Sequence, residues 1–122
     1  MIQIKNLTMD YGDGPILKKV NLHIRRGDAV TIIGNSGCGK STLLRCINRL
    51  VTPTSGEILI DGENILARDA DLDGIRRKMG MVYQSFNLFS HLSVMDNMIL
   101  APVMVAGTPP EQAREEAARL LA

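Results

Sequence analysis

No run in the 122 residues reaches the roughly 18–20 uninterrupted apolar side chains that a membrane-spanning helix needs, which excludes such a helix. The first residues, Met1-Ile2-Gln3-Ile4-Lys5, lack the basic and long apolar regions of a secretion signal. The expectation is a cytoplasmic chain, held at a membrane only through another protein. Excess charge is missing too: 14 Lys and Arg against 13 Asp and Glu leave a net charge of +1. That balance gives no electrostatic reason to expect nucleic acid or an anionic membrane as the main partner. Cysteine is scarce. Cys38 and Cys46 are separated by a loop and a helix, suit neither a disulfide framework nor a zinc site, and fit a reducing compartment.

What is present is 45% apolar and 22% charged residues, the composition of one globular domain or a piece of a larger one. Ile2 to Met9 and Val20 to Ile24 alternate apolar and polar side chains and read as antiparallel strands around a turn at Gly12-Asp13-Gly14-Pro15. Ala29-Val30-Thr31-Ile32-Ile33 is an almost continuous β-branched run, as expected of a strand buried on both faces. Thr42 to Leu50 predicts an amphipathic helix with Leu43, Ile47 and Leu50 on its apolar face. Glu57 to Gly62 predicts a strand entering a turn, Leu72 to Lys78 a short weak helix, and Met81-Val82-Tyr83 a short buried strand. From Leu92 the pattern is helical, with breaks near Pro102 and Gly107. Thr108, Pro109 and Glu111 suggest a capping box for a last helix with an apolar stripe of Ala113, Ala117, Leu120 and Leu121.

Between the β-branched run and the first helix stands Gly34-Asn35-Ser36-Gly37-Cys38-Gly39-Lys40-Ser41-Thr42. It meets the phosphate-loop pattern G-x-x-x-x-G-K-[ST] through Gly34, Gly39, Lys40 and Ser41. A polyphosphate must approach the backbone closely, and Gly34, Gly37 and Gly39 remove side chains that would block it while permitting positive φ. The helix start supplies N–H groups and a favourable dipole of order 1 kcal/mol. Lys40 supplies a point charge for the β- and γ-phosphates, and Ser41 a hard oxygen for Mg²⁺. A plain glycine-rich turn is the alternative; the strand pattern before and helix pattern after favour ATP phosphates.

Gly34 to Thr42 resembles the Walker A motif of ABC-transporter ATPases, and the flanking sequence agrees in order and spacing over the whole chain. Tyr11 stands where that family keeps the aromatic residue that stacks on adenine. Ser55 to Gly62 resembles its next strand and turn, and Gly80-Met81-Val82-Tyr83-Gln84 its Q-loop, with Gln84 implied near Mg²⁺ and the attacking water. Leu44 to Leu50 and Phe86 to Val94 resemble ATP-binding subunits of polar amino acid importers; lipoprotein- or macrolide-type exporters share part of the second stretch. The resemblance implies an α/β P-loop NTPase fold, a RecA-like ABC ATPase core, incomplete here. It has N-terminal antiparallel strands and the start of a helical subdomain, divided as residues 1–85 and 86–122. It implies Lys40 and Gln84 as catalytic residues, Ser41 and Gln84 as metal ligands, and Tyr11 with Gly34, Asn35, Ser36, Gly37, Cys38, Gly39, Lys40, Ser41 and Thr42 as nucleotide ligands. Implied partners are ATP, Mg²⁺, a second ATPase subunit in a homodimer, and a permease subunit touching Phe86 to Val94.

The family's signature motif, Walker B Asp-Glu pair and switch histidine are absent from the sequence. Ile58-Leu59-Ile60-Asp61-Gly62-Glu63 imitates Walker B, but Asp-Gly makes a better hairpin turn than a metal ligand. His91 reads as a surface-loop residue and Arg76-Arg77-Lys78 as a solvated helix face. The expectation is an N-terminal fragment that binds nucleotide and hydrolyses it negligibly. Its β-branched runs should lack partners, so that the chain is marginally stable or self-associates. A non-catalytic nucleotide-binding remnant is the alternative.

Overall fold

The computed structural model describes residues 1–122 as two compact units, Met1–Gly80 and Met81–Ala122. In the first, β1 (Ile2–Asp10), β2 (Pro15–Ile24), β3 (Ser55–Ile60) and β4 (Glu63–Asn64) form an antiparallel sheet in the order β2-β1-β3-β4. The pairing begins with Ile2 opposite Ile24 and Ile4 opposite Leu22, then shifts so that Leu7 faces Val20 and Met9 faces Leu17. At the shift Asn6 and Lys19 both have φ near +49°, and the Asn6 N–H donates to Asn21 Oδ1 at 2.9 Å instead of to the ladder. The irregularity serves the core. Strict alternation would put Leu7 on the face opposite Ile4, whereas a bulge keeps Ile4, Leu7 and Met9 buried together.

Two helices cover that face: α1 (Lys40–Ile47) buries Leu43, Cys46 and Ile47, and α2 (Leu72–Arg77) buries Ile75. With Leu17, Ile58, Ile60 and Ile65 they complete the core. Burial also pushes the Cys46 thiol up from its ordinary value, the signature of a packing residue. The expected helix from Thr42 to Leu50 is displaced toward the N-terminus, and Leu50 is exposed because Arg49 adopts φ +56° and turns the chain away.

Asp61 and Gly62 have φ of +50° and +87°, the two positive values that a two-residue hairpin turn needs, and link β3 to β4. Asp61 Oδ1 accepts from the Met1 ammonium at 2.7 Å. That hydrogen bond, the ammonium charge and then Arg26 hold the Asp61 carboxyl below its ordinary value. A depressed folded-state value means the link stabilises above the unfolded value, about pH 4, and fades as pH falls through the folded one. Thermal melts of Asp61→Asn, which keeps a residue tolerant of positive φ, should lie below those of the unsubstituted chain at pH 7. The two should converge as pH falls through the depressed folded-state value of the Asp61 carboxyl.

Two expected strands do not form. Ala29–Ile33 and Met81–Tyr83 lie outside any sheet, with Ile33 87% and Val82 88% exposed. A strand exists only where a neighbour completes its hydrogen bonds, and no edge in the chain offers one to either run.

The second unit holds α3 (Val94–Met104) and α4 (Pro110–Leu121). Ser93 caps α3, accepting from the Asp96 N–H at 3.1 Å and donating to its carboxylate at 2.6 Å. The loop before the cap is tied down by Asn97, whose Oδ1 accepts from the Phe89 N–H at 2.8 Å and whose Nδ2 reaches the Phe89 and Ser93 carbonyls. Pro102 does not break α3, which runs on to Met104; the turn comes at Gly107, with φ +69°. The expected Thr108 cap is not made. Pro110 excludes the residue before it from helical backbone, so Pro109 sits at ψ 137° and α4 starts one residue late. Ala113 and Ala117 are buried, and Leu120 lies on the same face, lining one cavity with them, but is 71% exposed. No helix is long and apolar enough to cross a membrane.

Candidate functional site

Within the first unit, the loop from Gly34 leads into α1 through two residues of positive φ, Gly37 at +78° and Gly39 at +97°. Gly39 is the N-cap of α1, and no side chain caps the helix, so its first N–H groups remain available to an external acceptor. No acidic residue occupies the first turn, where one would otherwise neutralise the positive end of the dipole. A side chain at Gly39 is ruled out by packing as well as by φ. Its Cβ would stand 2.9 Å from both Ile16 Cγ2 and Leu17 Cδ2. At Gly34 a Cβ would meet Cys38 Sγ at 2.7 Å.

The Lys40 ammonium curls over this loop, donating to the carbonyls of Gly34 at 2.8 Å and Asn35 at 2.7 Å and lying 3.6 Å from Cys38 Sγ. The Cys38 N–H closes the turn onto the Asn35 carbonyl at 3.3 Å. The cavity above, of about 300 Å³, is lined by Ile16, Ser36, Gly37, Gly39, Lys40, Ser41 and Thr42. It therefore offers uncapped amides, one ammonium and the hydroxyls of Ser36, Ser41 and Thr42, a donor set for a multiply charged oxyanion.

Of the residues singled out in the sequence, the structure brings Ser36, Gly37, Gly39, Lys40, Ser41 and Thr42 to the wall of this cavity, while Gly34, Asn35 and Cys38 lie outside its lining against the Lys40 ammonium. Tyr11 lies outside its lining and is 54% exposed, in the turn where the Asp10 carboxylate accepts from the N–H of Gly12 at 2.7 Å and of Gly14 at 3.2 Å. Gln84 belongs to the other unit, exposed at the start of a turn in which Phe86 and Asn87 have φ of +60° and +50°. His91 is a surface residue edge-on to Phe89, with ring centroids 6.0 Å apart. Ile16 was not singled out: in the sequence it is one more apolar residue at a strand start. Only the approach of β2 to Gly39 reveals it as a wall of the cavity.

The sequence model of the family described as ABC transporter matches residues 17–122. The chain belongs to the ABC transporter family. Among its curated relatives, the glutamine transport ATP-binding protein GlnQ of Bacillus subtilis is 48% identical over 117 residues, covering 96% of this chain and 48% of the relative. The histidine/lysine/arginine/ornithine transport ATP-binding protein HisP of Salmonella typhimurium is 43% identical, covering 99% and 51%. The chain thus spans about half the length of the curated relatives it matches. Among solved structures, the dimeric bacterial ABC transporter cassette MJ0796 superposes with a TM-score of 0.86 at 39% identity, over 98% of this chain and 55% of that one. The fold of this ABC chain is accordingly an incomplete P-loop ATPase cassette: the antiparallel sheet, the phosphate loop with its helix, and three further helices.

Proposed function

We propose that this chain is the ATP-holding part of the ATPase subunit of an ABC importer for polar amino acids. The observation that carries the reading is the cavity at the uncapped start of α1, with Lys40 folded over a loop in which positive φ and the crowding of Ile16 and Leu17 favour glycine at position 39. Gly34, Asn35, Ser36, Gly37, Cys38 and Gly39 wrap the triphosphate with main-chain donors, and Thr42 continues that donor set into the helix. Lys40 turns from the loop carbonyls toward the β- and γ-phosphates. Tyr11 stacks on the adenine. Mg²⁺ fits the donor chemistry, since Ser41 gives a hard oxygen at the cavity wall; the family resemblance adds a role for Gln84 in holding the ion. When bound, the ion supplies charge neutralisation at the transferring phosphoryl group.

The substrate class rests on relatives whose names specify glutamine and basic amino acids. By the same reasoning two such subunits pair, and Phe86 to Val94 meets a permease, on the cytoplasmic face of the membrane. Lacking a Walker B pair, a signature motif and a switch histidine, these 122 residues bind ATP without turning it over. Titration calorimetry with Mg-ATP should give saturable binding, while phosphate release stays at the no-protein background. Absence of saturable binding, or Lys40-dependent turnover, would overturn the reading.

A further inference from the structure

Backbone closes the last turn of α1, with the N–H groups of Asn48, Arg49 and Val51 donating to the carbonyls of Leu44, Cys46 and Arg45, and an arginine from α2 meets the next two carbonyls, those of the C-cap Asn48 and of Arg49. Arg76 donates from Nε to the Asn48 carbonyl at 3.1 Å and from a terminal nitrogen to the Arg49 carbonyl at 2.9 Å. Arg49, in left-handed backbone at φ +56°, passes the link on through its own guanidinium to the Ile65 carbonyl. The chain just beyond α1 is thereby fastened to α2 and to the segment that follows the β3–β4 hairpin.

Resting on the reading of the cavity as a nucleotide site, we infer that Arg76 is a positioning residue for it. Arg76 holds the far end of α1, and so keeps the first-turn amides of Lys40, Ser41 and Thr42 aimed at the phosphates. Three observations carry this. With eight residues α1 is too short to be stable by itself. Its N-terminus has no side-chain cap, so besides the packing of Leu43, Cys46 and Ile47 its geometry depends on the C-terminal end. A helix of this length is about 12 Å long and bends little, so fraying at Asn48 is felt at Lys40. Arginine suits the task because its planar fork serves two successive carbonyls at once, which an ammonium cannot do with one fixed geometry. Its charge also complements the negative end of the helix dipole.

The test compares Arg76→Ala and Arg76→Lys with Arg77→Ala, which removes the same charge from an exposed neighbour. Mg-ATP affinity of the 122-residue chain is measured by calorimetry, at a temperature where every variant is folded, together with amide exchange over residues 40–48. Arg76→Ala should weaken binding about tenfold and speed exchange at residues 40–42. Arg76→Lys should recover part of both, and Arg77→Ala should match the unsubstituted chain. A lower melting temperature with unchanged affinity and unchanged exchange at residues 40–42 would make Arg76 merely structural and overturn the inference. If Arg76→Ala does not fold, the same criteria are applied to Arg76→Lys. If the unsubstituted chain does not bind Mg-ATP, the nucleotide reading fails separately, and unaltered exchange in the Arg76 variants would still sink the clamp.

Discussion

Lys40→Ala should abolish measurable Mg-ATP binding while leaving the thermal midpoint of the chain nearly unchanged. The side chain has two duties in one place. Its ammonium bonds the Gly34 and Asn35 carbonyls at 2.8 and 2.7 Å, which holds the loop closed around the cavity. It is also the one cation lining that cavity, where a triphosphate would otherwise meet only neutral donors. Charge-assisted hydrogen bonds contribute about 1.5–3 kcal/mol each, so losing two that the ammonium makes to the β- and γ-phosphates once it has turned from the loop carbonyls weakens binding by at least ~10²-fold. Lys40→Arg keeps the charge but places a wide planar group where a compact one fits, and should recover only a small part. Stability is spared because the core is built from the sheet, Leu43, Cys46, Ile47 and Ile75, none of which touches the ammonium. Calorimetry and melting curves on the same samples check both halves. Unaltered affinity in Lys40→Ala would mean that the nucleotide is held elsewhere.

How much of this was legible in the sequence depends on how local the cause was. Gly34 to Thr42 could be read because backbone approach and helix start demand those residue types at fixed spacing, and Asp61-Gly62 because a two-residue turn needs two positive φ values. Ile2 to Met9 could be read as a strand, but not where it bulges; that is set by Asn21 offering its carbonyl oxygen to the Asn6 N–H. Ala29–Ile33 and Met81–Tyr83 carry the side chains of buried strands and yet form none, because pairing is a property of neighbours and not of a segment. The chain spans about half the length of its curated relatives, and these two runs keep their strand-like sequence without a partner edge in the 122 residues. The start of α4 failed for a local reason that was present in the sequence: two consecutive prolines, of which the second governs the first. Arg76 read as a solvated charge because nothing in its neighbours hints at carbonyls 27 and 28 positions earlier.

Gly56→Ala should be the most damaging single methyl group in the first unit. Gly56 has φ +104°, a conformation that costs an L residue about 1–2 kcal/mol. It also lies where β3 crosses the irregular stretch of β1, between the Lys5–Glu57 and Thr8–Ser55 pairs. A Cβ there would stand 2.7 Å from the Asn6 carbonyl and from Leu7 Cα, and 2.8 Å from the Lys5 carbonyl. All three are backbone atoms of a paired strand, so no flexible side chain can swing aside. Overpacking of this kind adds about 1–3 kcal/mol, for a total near 3 kcal/mol, enough to lower the melting temperature of a unit this size by more than ~10 °C. Gly12→Ala separates the two contributions. Gly12 has a similar φ, +112°, but nothing lies within 4 Å of the added carbon, so only the backbone strain of about 1–2 kcal/mol remains. Equal melting temperatures for the two variants would show that β1 yields to β3. A much lower one for Gly56→Ala would show that the strand crossing is rigid. That rigidity matters to the site, because Met9 of β1 pairs with Leu17, and Leu17 is one of the two side chains that press on Gly39 at the start of α1.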